Sequence, residues 1–514
     1  MDWTSGYRAD IDYTYGYYRE LAPGMIDFAL AYAGFEPPQR GALRYLELGY
    51  GQGMSANIHA AACPGQFWGA DFNPAHASNA QTLARISEAP AEFTDESFAE
   101  MLGRDDMPPM DYIVLHGIWS WVSDENRQVI VDTIRKRLRV GGALYFSYNT
   151  LPGWAMAMPL RHILALHAKA AGSDVQGIVG SIDAAIDFGR KLSDAGARYF
   201  QANPMAKARL DAIAGQNRHY VAHEYFQEVW TPMYFSEVHD RLAEAKLSYA
   251  TCAAVLEQMD PFNLTVPQRE MLNGYPGGVL RETVRDYMLN QQFRRDLYTR
   301  GARKMSPLER MERLYAIKVT TLSPTPAPIK VDTVLGPLNL LQEIYQPVID
   351  HLHKHAAAPQ TIAQMSEDPA LAALAPGALL ESLAVLIGAG RAHPVQSDED
   401  IAIAAPRCAR LNAELLERSR ISGDVTCLAS PVIGGGVGVA RFEQMFLWAR
   451  AKGAKTPADW ARMAWETLSR QNQSLIKDGE MLKTAEANLE ELTAQAEALD
   501  GDRLALLRHL KVID

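Results

Sequence analysis

Three glycines at alternate positions behind a carboxylate are the residues of this sequence best arranged for chemistry. In Leu46-Glu47-Leu48-Gly49-Tyr50-Gly51-Gln52-Gly53 an acidic residue closes a short apolar run and the glycines follow. Glycine permits a sharp bend and lets backbone come close to a ligand, and a helix after such a turn offers unpaired N–H groups. That is the architecture of a nucleotide-type site, although the glycines alone do not name the nucleotide. Three further features narrow it. Asp71 ends the next apolar run, where a carboxylate can accept both hydroxyls of a ribose. Phe72 follows it and can lie on an adenine ring, and the loop Asp95-Glu96-Ser97-Phe98 is spaced to reach the adenine edge. An acid ahead of the glycines is not something a dinucleotide enzyme requires. Glu47, Gly49, Gly51, Gly53, Asp71, Phe72, Ser97 and Phe98 are therefore expected to contact S-adenosyl-L-methionine rather than NAD.

The elements that must hold these residues alternate. Leu21, Met25, Phe28, Ala29 and Tyr32 predict a helix over 19–35, which Pro37-Pro38 interrupts. Strands are predicted at Leu43 to Leu48, Gln66 to Asp71, Glu92 to Thr94, Tyr112 to His116 and Ala143 to Tyr148, with helices near 54–62, 75–86 and 124–138 between them. Strands and helices alternating at this pitch predict a Rossmann-like α/β domain, a parallel sheet covered on both faces. Beyond Pro152-Gly153 the pattern turns helical, with one strand expected at about 248–256. Residues 322–337 are rich in proline and suit a linker or a leading strand, while 338–400 suit helices with an edge hairpin, a winged-helix-like arrangement. Four domains follow: 1–165, 166–321, 322–400 and a helical 401–514.

The chain has 514 residues and a formal net charge of −11, which argues against a protein that coats nucleic acid. The basic run from Arg281 to Arg313 reads as a helix pair with solvated charged faces. The first residues lack the basic and apolar segments of a signal peptide, and no stretch approaches the roughly 18 apolar residues of a membrane span. Cys63, Cys252, Cys408 and Cys427 are scattered, without a CxxC, which suits a reducing cytoplasm. His351, His353 and His355 lack a completed ligand set, so no metal is expected. Gly434-Gly435-Gly436-Val437-Gly438 lacks the Lys-Ser/Thr of a phosphate loop and reads as a flexible turn. Leu482, Ala485, Leu489, Leu492, Ala496 and Leu499 form a short heptad seam, which fits either packing within the chain or a homodimer.

Several longer segments carry a family resemblance. Leu46 to Gly53, Phe67-Trp68-Gly69-Ala70-Asp71-Phe72-Asn73-Pro74, the stretch His116-Gly117-Ile118-Trp119-Ser120-Trp121-Val122-Ser123, and Ser147-Tyr148-Asn149-Thr150-Leu151-Pro152-Gly153-Trp154 resemble class I methyltransferases that carry a methyltransferase regulatory domain, a group that includes rickettsial outer-membrane-protein lysine methyltransferases. His223-Glu224-Tyr225 through Phe235 resembles the start of that regulatory domain. The resemblance implies a class I methyltransferase domain at 1–165 and a helical regulatory domain at 166–321. It also implies a protein substrate with lysine as acceptor. A glycan, a small molecule taking the methyl on oxygen or nitrogen, and a scaffold without turnover stay open. Tyr50 stands where the family commonly has Cys, and its side chain is expected to face out of the turn.

Acceptor-side candidates follow from position. His116 ends the fourth strand, at the sheet edge where ligands bind, and suits a general base, a cofactor contact or a structural hydrogen bond. Tyr148, with Asn149, ends the fifth strand on the same side. Tyr15 belongs to a cluster with Tyr13, Tyr17 and Tyr18 that suits either a cover over the cofactor or plain packing. Trp119 and Trp121 suit an acceptor groove or the core. The Asn-Pro-Pro-aromatic signature of many amino-methyltransferases does not follow the fourth strand.

Overall fold

The computed structural model describes residues 15–38, 41–171, 177–375 and 377–514. Seven strands build one sheet: β1 (Leu43–Leu48), β2 (Gly65–Ala70), β3 (Ala91–Thr94), β4 (Met110–Leu115), β5 (Leu138–Asn149), β6 (Ser248–Cys252) and β7 (Phe293–Thr299). Their order is β3-β2-β1-β4-β5-β7-β6. The first five are parallel, and β7 runs antiparallel to both β5 and β6. β4, Met-Asp-Tyr-Ile-Val-Leu, is buried along its whole length, as expected of a central parallel strand covered on both faces. The sheet order reverses between β1 and β4, which opens a crevice at their carboxyl ends.

Helices α1 (Pro23–Tyr32), α2 (Met54–Ala62), α3 (Pro74–Ser87), α4 (Phe98–Gly103) and α5 (Asp124–Arg137) cover the sheet. α1 starts at Pro23 rather than near residue 19, because proline's missing N–H and fixed φ suit the first helical position; a single 3₁₀ turn, Arg19–Leu21, precedes it. Pro74 opens α3 in the same way, and the Asn73 side chain accepts from the Ala75 N–H.

The sheet is not complete at residue 165, since its last two strands come from 248–252 and 293–299. The basic run Arg281 to Arg313 is not a solvated helix pair either. Its middle is β7, where Arg294 is buried and bonded to Asp296, Asp286 and Glu282. A buried guanidinium is tolerated there because carboxylates and the Tyr249 hydroxyl meet its donors.

Between β5 and β6 the helices Met158–Ala171, Gly177–Asp194, Pro204–Ala214 and Arg218–Tyr225 pack around their own apolar cluster. Further on, Lys318–Thr321 forms the centre of a three-stranded antiparallel sheet between Gln360–Thr361 and Ala392–Pro394. A separate hairpin pairs Lys330–Thr333 with Gly336–Asn339. Gly435–Gly438 is a strand paired with Cys427–Ser430, not a flexible turn. The heptad seam packs within the chain: Leu492, Ala496 and Leu499 share a cluster with Trp460, Ala464 and Leu468. That cluster also takes in Met54, Ile58, Ala61 and Ala62 of α2, so the C-terminal region and the sheet domain have one core between them.

Candidate active site

The glycine turn forms the floor of a cavity at the carboxyl ends of β1 and β4. Gly49 and Gly51 have φ of 73° and 57°, a region L side chains rarely enter. A Cβ on Gly49 would overlap the Ile118 side chain that closes over it. The Gly51 N–H donates to Asp71 Oδ2 at 2.8 Å, which ties the turn to the end of β2. Asp71 Oδ1 accepts from the Asn73 N–H and from His76 Nδ1, both at 3.1 Å. An ionised carboxylate has about four acceptor positions, so Asp71 can still receive a hydroxyl.

Glu47, Gly49, Gly51, Asp71, Phe72, Ser97 and Phe98 all line this one cavity, and His116 joins them. Gly53 does not line it; it caps α2 and its carbonyl accepts from Asn57. Tyr50 also departs from expectation. Its ring packs against Phe93, its hydroxyl donates to the Thr94 carbonyl at 2.7 Å, and it faces the cavity instead of pointing out of the turn.

Glu47 is 4% exposed, and among the described residues no Lys or Arg forms an ion pair with it. Burial pushes its carboxyl up to about 8. A buried acid at the cavity floor without a cation is the chemistry that the α-ammonium of S-adenosylmethionine would complete. Asp71 would take the ribose, and Phe72 and Phe98 offer apolar faces to an adenine.

His116 is held at the opposite rim. Its Nδ1 lies 2.8 Å from the Tyr145 hydroxyl and 3.4 Å from Ser147 Oγ. Tyr18 stacks on its ring with centroids 3.8 Å apart, and the Tyr18 N–H donates to Ser55 Oγ on α2. Burial, and then the Arg295 charge, push the imidazole down to about 3. The ring is therefore neutral near pH 7 and a weak base, which favours a packing and contact role over proton removal.

Other candidates lie elsewhere. Tyr148 is buried in the sheet, its ring tilted against Phe146, and donates to Asp296 at 3.1 Å; it does not line the cavity. Tyr15 is half-buried against the C-terminal cluster and does not line the cavity either, while Tyr13 falls outside the described residues. Trp119 is in the core, edge-on to Phe146, whereas Trp121 does line the cavity. Asn149 is buried, with its N–H donating to Ser120 Oγ. Tyr17 and Arg19 point away from Tyr18. The Tyr17 hydroxyl accepts from the Gly436 N–H at 2.7 Å, over glycines on which a Cβ would meet its ring. Arg19 donates to the carbonyls of Ile387 and Gly388.

His223 and Glu224, on the helix Arg218–Tyr225, reach the same cavity from more than a hundred residues downstream. Their only sequence signal was the His-Glu-Tyr triplet, which says nothing about where that helix docks. Among the histidines 351, 353 and 355, His351 places Nδ1 2.9 Å from Asp368 and Nε2 2.9 Å from Gln360, and no group of three or more His, Cys, Asp or Glu fit for a metal occurs among the described residues.

Comparison with known proteins adds family context. A family model described as a predicted methyltransferase regulatory domain matches residues 217–300, which include the helix of Glu224 and strands β6 and β7. An uncharacterized protein of Synechocystis sp., sll1526, is 35% identical over 516 residues, covering all of both chains. An uncharacterized protein of Rickettsia prowazekii, RP789, is 26% identical over 268 residues, covering 51% of this chain and 47% of that one. Among solved structures, PKMT2 from Rickettsia typhi in complex with AdoHcy superposes with a TM-score of 0.68 at 18% identity, over 98% of this chain and 100% of the other.

Proposed function

We propose that this chain, which shares a family with the Synechocystis protein sll1526 and matches a predicted methyltransferase regulatory domain over residues 217–300, is an S-adenosylmethionine-dependent methyltransferase that acts on a protein side chain, the amine of lysine. The observation that carries this reading is the cavity rim. Tyr18, Trp121 and Glu224, two aromatic residues and an acid, line the cavity that Glu47 and Asp71 also line. Aromatic faces and an acid attract a cationic acceptor. The resemblance to rickettsial lysine methyltransferases supports the same acceptor.

When bound, S-adenosylmethionine supplies a methyl group already activated on a sulfonium. What remains for this chain is to bind, orient and exclude water. Glu47 holds the ammonium, Asp71 the ribose and Phe98 the adenine, while Tyr18 and Ile118 close the cavity over them. The helical region 158–225 and the domains beyond 322 serve to present a large substrate.

The test is to incubate the protein with radiolabelled S-adenosylmethionine and a lysate of its host, then fractionate. Base-stable label that maps to lysine is expected. Label confined to glycan or small molecules would replace the lysine reading, and cofactor binding without transfer would replace catalysis with a scaffold role.

A further inference from the structure

We propose that Glu224 receives the acceptor amine, pairing with the incoming ammonium and taking one of its protons. This rests on the lysine reading above and gives the acceptor step its base. Glu224 is half-buried, lines the same cavity as Tyr18, His116 and Trp121, and its carboxylate makes no hydrogen bond or ion pair among the described residues.

The absence of a partner is not for want of cations. Arg161 and Arg209 lie close enough for their charges to act on Glu224. Both are occupied elsewhere. The Arg161 guanidinium donates to the backbone carbonyls of Glu224 and Gln227 and lies 4.5 Å from the Trp230 ring centroid. Arg209 donates to the Tyr225 hydroxyl and lies 4.6 Å from the Trp154 ring centroid. Two guanidinium groups held on aromatic faces and carbonyls leave the carboxylate open to a cation that arrives with the substrate.

The proton balance also works. Burial pushes the Glu224 carboxyl up to about 7, while Arg161 and Arg209 pull the other way. Arg218, His219, Tyr220, His223 and Tyr225 are the other titratable groups of its own helix. A lysine amine titrates near about 10.4, so the gap to Glu224 is about three units, against about six for an ordinary Glu. In the step itself, the ammonium gives a proton to a Glu224 carboxylate oxygen. The freed nitrogen lone pair then forms the N–C bond to the methyl. The C–S bond breaks and its electron pair stays on sulfur as a thioether. Glu224 releases its proton to water, and the carboxylate pairs with the methylated ammonium.

The probe is n-butylammonium, a mimic of the lysine side chain, titrated by NMR into the S-adenosylhomocysteine-loaded protein. Saturable binding to wild type is expected, weakened about tenfold or more in Glu224→Gln, with n-pentanol binding alike to both. S-adenosylhomocysteine affinity and the melting temperature should be unchanged, which shows that the variant is folded. No saturable binding to wild type, or equal binding to both proteins, overturns the assignment. Lysine methylation by Glu224→Gln at the wild-type kcat/KM also overturns it while leaving the lysine reading intact. Label found only on glycan sinks the lysine reading instead.

Discussion

At the scale of single residues, Glu47 sets a pH dependence that can be worked out in sign. Its folded carboxyl sits near 8 against an ordinary 4.5, so the free folded protein holds a proton that the unfolded chain gives up. Stability of the free protein should fall as pH rises from about 4.5 to about 8. A ligand ammonium favours the ionised acid, so S-adenosylhomocysteine affinity should rise by up to about tenfold per pH unit between pH 6 and 8, then level off. Calorimetry across that range tests it, and Glu47→Gln should flatten the profile. Asp71→Ala removes both the proposed ribose acceptor and the tether to the Gly51 N–H, and should weaken the same ligand about 10–100-fold. That Glu47 and Asp71 would line one cavity was legible because strand, turn and helix are contiguous, which makes spacing informative. The inward face of Tyr50 was not, because it depends on Phe93 and Thr94 of a different strand.

At the scale of elements, the turn after β1 and the helix of Glu224 carry the site from two directions. Gly49→Ala forces a Cβ into positive φ and against Ile118, and should cost about 1–3 kcal/mol in chemical denaturation. The Asn217 side chain accepts from the N–H groups of His219 and Tyr220, so Asn217→Ala should cost about 1 kcal/mol. The loss should appear as faster hydrogen exchange in 218–225, with S-adenosylhomocysteine affinity retained. The five parallel strands were readable from their apolar runs and intervening helices. β7 was hidden, because Phe-Arg-Arg-Asp-Leu-Tyr-Thr has the charge of a surface segment. Only tertiary partners, Asp286 and Glu282 from the helix before it, make that charge compatible with burial.

At the scale of the whole molecule, the region beyond residue 400 shares an apolar cluster with the sheet domain. α2 contributes Met54, Ile58, Ala61 and Ala62 to the cluster of the C-terminal region. Deleting 401–514 would bare that face, and the shortened protein should aggregate or bind a hydrophobic dye, while the full chain melts in one calorimetric transition. A sequence shows where composition shifts, but not that two compositions share one core. Among the described residues no helix is long and apolar enough to cross a membrane. The segment that carries Tyr18 is secured by Tyr17 on Gly436, 419 residues away, and by Arg19 on the carbonyls of Ile387 and Gly388. On the ribosome, the roof of the cavity is made well before its anchors. At roughly 5–20 residues per second the interval is about 20–80 s, so a nascent chain can assemble the floor of its pocket long before it can close it.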